Sequence, residues 1–131
     1  MSFLPSGDRQ YLENRGLLFE EVMDNNQKGV IIRGFQLPLG RFDVRQADVL
    51  IVLPSGYSDV PPDMFYLMPW VRLVQGARYP RAADQPFKLN NQTWQRWSRH
   101  NREWRPGMDG MWTMLKRVEY ALEVAACLQQ V

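Results

Sequence analysis

Residues 47–67 read ADVLIVLPSGYSDVPPDMFYL, two apolar runs separated by a proline-marked crossing. Val49 to Leu53 is short, continuous and rich in β-branched side chains, the pattern of a strand buried on both faces, and Met64 to Leu67 is a second such run. Pro54 and Gly56 punctuate the exit from the first. The Pro61-Pro62 pair then fixes two φ angles, removes two N–H donors and pushes Val60 out of the helical region. A connection stiffened this heavily is either a purely structural loop or a docking surface.

Working outward, the segments on the N-terminal side predict a short helix and a meander of strands. Ser6 or Asp8 is placed to cap a helix through Tyr11 and Leu12 that stops at Gly16. Leu17 to Met23 and Val30 to Leu37 flank a polar segment, residues 24–29, suited to a hairpin loop, and Pro38-Leu39-Gly40 ends the second strand. Short turns between sequential strands imply antiparallel pairing. On the C-terminal side, Gly76, Pro80 and Pro86 interrupt any strand between Pro69 and Asn91, so that stretch is expected to be mostly irregular. A tryptophan-dense segment, Trp94 to Trp104, reads as a functional loop. Asp109 then caps a long helix from about Met111 to Gln129, with an apolar stripe at Met111, Leu115, Val118, Leu122 and Ala125. The expected architecture is α+β, an antiparallel strand meander packed against an N-terminal and a long C-terminal helix in a single domain over residues 1–131.

Composition narrows the function classes. The 131 residues are 45% hydrophobic and 12% aromatic, enough for a sizeable core. No run approaches the roughly 18 apolar residues of a membrane span, and the first residues lack the regions of a signal peptide, so a cytoplasmic location with no membrane partner is expected. A single cysteine, Cys127, and a single histidine, His100, are too few for an internal disulfide or a structural zinc site; no metal or other cofactor is expected. The net charge of +2 is uneven: residues up to Phe65 carry 6 Lys/Arg against 9 Asp/Glu, and the rest carry 10 against 5. Thirteen of the sixteen cations are Arg, the side chain that pairs with carboxylates or phosphates and stacks on rings.

The order of elements, the strand leading into Tyr57-Ser58-Asp59-Val60-Pro61-Pro62, and Trp104-Arg105-Pro106 ahead of a long helix resemble the ubiquitin-conjugating enzyme (UBC-like) fold. With Leu53-Pro54-Ser55-Gly56-Tyr57, Pro62-Asp63-Met64-Phe65 and Trp97-Ser98-Arg99-His100 in order, the chain is similar to the prokaryotic ubiquitin-conjugating-enzyme-like group called family E, over nearly its whole length. The resemblance implies a bacterial pathway, of the kind found in defence operons, that attaches a ubiquitin-like modifier. The implied partners are that modifier, an adenylating activating enzyme and, in such operons, a metalloprotease that trims the modifier. Enzymes of this fold carry the modifier as a thioester on a cysteine between the proline crossing and the late tryptophan. Here no cysteine lies between Pro62 and Trp104, and the His-Pro-Asn flap of the eukaryotic enzymes is absent.

Two functional classes follow. In the first, Ser98 takes the cysteine's place and carries the modifier as an oxyester, with His100 as base and Asn101 or backbone N–H groups stabilising the oxyanion. Residues i and i+2 face the same way only in extended backbone, so local geometry decides whether His100 reaches Ser98. In the second, the domain is a catalytically inactive scaffold resembling the RWD domains, binding the activating enzyme or the modifier. Its surface would be built from Tyr57, Pro61, Pro62, Trp97, Arg99, Arg102 and Trp104, and Trp, Tyr and Arg are the residue types that dominate interface hot spots. The tryptophans are equally candidates for core plugs, Ser98 for a loop hydroxyl and His100 for a structural hydrogen-bond partner. The arginines at 96, 99, 102 and 105 recur every three residues among tryptophans, as in a nucleic-acid groove. That reading ranks last, because the whole-chain charge is modest and no nucleic-acid-binding signature accompanies it.

Overall fold

The structure is a computed structural model that describes residues 2–100 and 103–128, with backbone alone for 126–128. Its elements are α1 (Ser6–Asn14), β1 (Leu18–Asp24), β2 (Gln27–Gln36), β3 (Gln46–Leu53), β4 (Phe65–Met68), β5 (Gln85–Leu89), β6 (Gln92–Trp97) and α2 (Met111–Leu128). The fold is α+β, as the sequence predicts. Six strands form one sheet in the order β1-β2-β3-β4-β6-β5, with every neighbouring pair antiparallel. The meander therefore holds through β4, after which β6 takes the place beside β4 and β5 forms the outer edge.

Period-two alternation in the strands sorts the core into two clusters. Val30, Ile32, Val49, Ile51, Phe65 and Leu67 face the helices, and Leu12 of α1 with the α2 stripe Met111, Leu115, Val118, Leu122 and Ala125 buries that face. Ile31, Leu50, Tyr66, Leu89 and Trp94 point the other way and form the second cluster. Among the described residues no helix contributes to that second cluster, yet Ile31, Leu50 and Trp94 are 0% exposed. The sheet curls over them until its two hairpin turns meet, and the Asn90 N–H donates to Asp24 Oδ2 at 2.8 Å across that closure.

Both turns are Asn-Asn pairs with positive φ at each residue, 50° and 67° at Asn25-Asn26 and 57° and 61° at Asn90-Asn91. This is the type I′ geometry that matches the twist of the flanking strands. Two expectations are corrected by it. The hairpin loop expected over 24–29 is only Asn25-Asn26, since backbone pairing runs from Leu18↔Arg33 to Asp24↔Gln27. The stretch expected to be irregular up to Asn91 contains β5, and the tryptophan-dense loop is in its first half β6. Pro86 is tolerated because β5 is an edge strand, whose outward positions need no N–H.

Helix ends also differ from expectation. Pro5 precedes α1 without any side-chain cap, so neither Ser6 nor Asp8 caps it. Among the described residues, no helix is long and apolar enough to cross a membrane.

Candidate functional site

Three long-range devices assemble the region around the proline crossing. The first is Asp8, whose buried carboxylate accepts from the Met111 N–H at 3.0 Å and from the Tyr57 hydroxyl at 2.6 Å. A residue of α1 thus caps α2, satisfying an N–H that has no partner within its own helix. The expected cap, Asp109, accepts instead from the Arg105 N–H at 2.7 Å, the Arg105 guanidinium and the Thr113 hydroxyl. Those Arg105 contacts hold its carboxyl down to about 2. Gly110 is the residue that lets α1 approach, because a Cβ there would lie 2.4 Å from Asp8 Oδ1.

The second device is the aromatic brace beside it. The ring of Tyr57 packs on Trp104 with centroids 6.3 Å apart, and Trp104 Nε1–H donates to the Ser58 carbonyl at 2.9 Å. Burial and the hydrogen bond to Asp8 push the Tyr57 hydroxyl well above the usual tyrosine range. The third is Gln95, 0% exposed, whose amide meets four partners. It accepts from the Val71 N–H and Trp97 Nε1–H and donates to the carbonyls of Val71 and Ala83, fastening the irregular 69–84 segment to β6.

Within this frame the residues singled out from the sequence separate. Trp97 is 0% exposed and stacks on Phe65 at 5.3 Å, so it is a core plug and its place on a binding surface is corrected. Pro62 is buried and Pro61 half-buried. Tyr57 and Trp104 are half-buried and turned onto each other. Asn101 and Arg102 lie outside the described residues.

Ser98, just past the end of β6, is half-buried, and its N–H donates to the Ala82 carbonyl at 3.0 Å. Arg99 lies over the Trp97 ring at 5.1 Å. His100 is exposed and pairs its Nδ1 with Asp63 Oδ1 at 2.8 Å, which joins the end of β6 to the residue directly after the double proline. Among the described residues, no hydrogen bond connects Ser98 Oγ to His100. Asp63 is the partner that sequence reasoning missed, since nothing in residue spacing links positions 37 apart.

Arg99 and His100, but not Ser98, line a groove of about 520 Å³ between α2 and the 63–65 wall. Burial and the neighbouring Arg81 charge hold the Arg99 guanidinium below its usual range. Among the described residues, the period-three arginines do not form one track. Arg96 lies on β6 beside Tyr66, Arg99 faces the groove, and Arg105 is paired with Asp109.

A scan against protein-family models matches "Prokaryotic E2 family E" over residues 4–125. The chain therefore belongs to that family, and it is a ubiquitin-conjugation-like component whose family works in general with a modifier and an activating enzyme. Searches of curated proteins and of solved structures return no match.

Proposed function

We propose that this member of prokaryotic E2 family E is a UBC-like, single-domain scaffold in a bacterial ubiquitin-like conjugation pathway, binding the activating enzyme and the modifier without carrying the modifier covalently. The observation that carries this reading is the engagement of the lone imidazole. His100 is held by Asp63 on the proline crossing, while Ser98 Oγ has no base among the described residues. A serine hydroxyl without a base is a poor nucleophile, and alkoxide is a worse leaving group than thiolate. The helix–strand–proline-crossing–helix order and the braced Tyr57–Trp104 pair support the UBC-like assignment. Pro61, Arg99 and the edge of the groove are the parts of the region left on the surface for partners.

A second reading is favoured by one detail of the same pair. In the tautomer whose Nδ1–H donates to Asp63, the other ring nitrogen of His100 is an acceptor, as a general base requires. In that reading Ser98 Oγ attacks the modifier's activated carbonyl, its proton passes to His100, and the activating enzyme's thiolate leaves, with Asn101 or backbone N–H groups on the oxyanion. One reconstitution separates the two. With activating enzyme, modifier and ATP, the scaffold yields a non-covalent complex and no reductant-resistant adduct. A hydroxylamine-labile adduct that disappears in Ser98→Ala would overturn the scaffold.

A further inference from the structure

Helix α2 buries one stripe in the core, and the rows beside it run from that core, at Ala121 and Ala125, out to the exposed Lys116 and Tyr120. Positions 112, 116, 120 and 124, with 113, 117, 121 and 125, form two adjacent i, i+4 rows that line the groove. From Trp112 to Val124 this face runs about 18 Å, at roughly 1.5 Å per residue. Its floor is apolar, from Phe65, Ala121, Val124 and Ala125, and Tyr120 stands 71% exposed beside it. Among the described residues its rim carries the cations Arg81, Arg99, Lys116 and Arg117 against one carboxylate, Asp63, which His100 already engages. Among the described residues none of these four cations is in a salt bridge, and Arg117 Nε is buried without a hydrogen-bond partner.

We propose that this groove is a docking site for an acidic, amphipathic peptide segment of a partner protein, its apolar side chains on the floor and its carboxylates against Arg81, Arg99, Lys116 and Arg117. The inference stands on the groove's lining alone and is independent of whether the chain carries a modifier. Length and chemistry both favour this occupant. A face of about 18 Å accommodates about five or six residues of extended peptide at roughly 3.3 Å each, and alternate side chains of such a strand face opposite ways. An apolar floor under a cationic rim gives those two sets different environments. A phosphodiester backbone would gain from the rim alone, and the dispersal of Arg96 and Arg105 away from the groove gives it no continuous track.

The test uses the full chain and fluorescence anisotropy of a dye-labelled peptide alternating Glu with Leu. Its Lys-for-Glu counterpart and a single-stranded oligothymidylate serve as competitors. The acidic peptide binds and the Lys counterpart does not. Arg81→Glu with Lys116→Glu, both exposed positions, weakens binding at least about tenfold, because rim charges now repel the ligand. Tyr120→Ser weakens it as well, and Arg45→Glu, exposed and outside the groove, leaves it unchanged. Thermal melts confirm that each variant is folded. The proposal is overturned if both peptides bind alike, if the acidic peptide fails to bind at roughly 1 mM, if Arg45→Glu is as damaging as the groove reversal, or if oligothymidylate binds more tightly than the peptide.

Discussion

Replacing Asp8 by Ala tests how α1, the proline crossing and α2 are held together. The carboxylate receives two donors, the Met111 N–H at the start of α2 and the Tyr57 hydroxyl at 2.6 Å. Losing a cap costs about 1 kcal/mol, and losing a hydrogen bond to a charged group in a buried setting costs about 2 kcal/mol. The expected loss is therefore about 3 kcal/mol. At roughly 2.1 cal/mol/K per residue over 131 residues, the unfolding entropy is about 0.28 kcal/mol/K, so the melting temperature falls by about 11 °C. Tyr57→Phe removes only one of the two donors and is expected to cost about 1.5 kcal/mol. Urea denaturation followed by tryptophan fluorescence measures both variants and their double, and Trp104 against Tyr57 reports locally on the brace. Because the two residues share one hydrogen bond, the double variant should cost less than the sum of the singles by about 1 kcal/mol. Strict additivity, or a Tyr57→Phe that is silent in the parent, would refute the clasp.

Gln95→Leu keeps the volume but strands the Val71 N–H, the Val71 and Ala83 carbonyls and the Trp97 indole N–H in the interior. At about 1–3 kcal/mol for each unsatisfied group, the variant should lose about 4 kcal/mol in urea titrations, and a loss under about 1.5 kcal/mol would contradict the role given to the amide. Glu21 is a pH-dependent tether. Burial pushes its carboxyl up, but the Leu4 and Phe3 N–H groups, the Ser2 hydroxyl and Arg9 outweigh that and leave it below the ordinary glutamate value of 4.5. A depressed pKa contributes stability that is present above 4.5 and lost as pH falls through the lower folded value. Wild type should therefore exceed Glu21→Gln in melting temperature near neutrality, with the gap closing as pH falls below about 4.5; a gap that persists at acid pH would sink the assignment.

How much of this was legible depends on the range of the interaction that decides each element. The α2 stripe is local, and Met111, Leu115, Val118, Leu122 and Ala125 are buried as the 3.6-residue period requires. Val49 to Leu53 was legible as a strand buried on both faces, since Val49 and Ile51 join one cluster and Leu50 the other. The β5–β6 hairpin was hidden by Pro86, although Asn90-Asn91 repeats the turn chemistry of Asn25-Asn26 and would have located it. The arginines of the Arg/Trp segment recur at a period of three, but β6 obeys a period of two. Trp94 and Trp97 therefore plug opposite faces of the sheet, and Arg96, Arg99 and Arg105 disperse. Asp8–Met111 spans 103 residues and Asp63–His100 spans 37, so neither contact leaves a trace in local pattern. Both are side chains whose type was visible and whose partner was not.

The two faces of α2 make folding and recognition separable by experiment. Met111, Leu115, Val118 and Leu122 close the core, and truncating any of them opens a cavity at a cost of about 2–5 kcal/mol. Lys116 and Tyr120 are exposed on the adjoining rows and make no hydrogen bond among the described residues, so their substitution falls in the range of about 0.5 kcal/mol expected of surface positions. A loss of partner binding confined to the second set cannot be ascribed to unfolding. The Asp8 clasp sets the first turn of this helix and thereby the position of Trp112, where the groove begins. Asp8→Asn, which retains an acceptor for the Met111 N–H, should thus preserve groove binding better than Asp8→Ala does, linking the cap on α2 to recognition through the placement of one helix end.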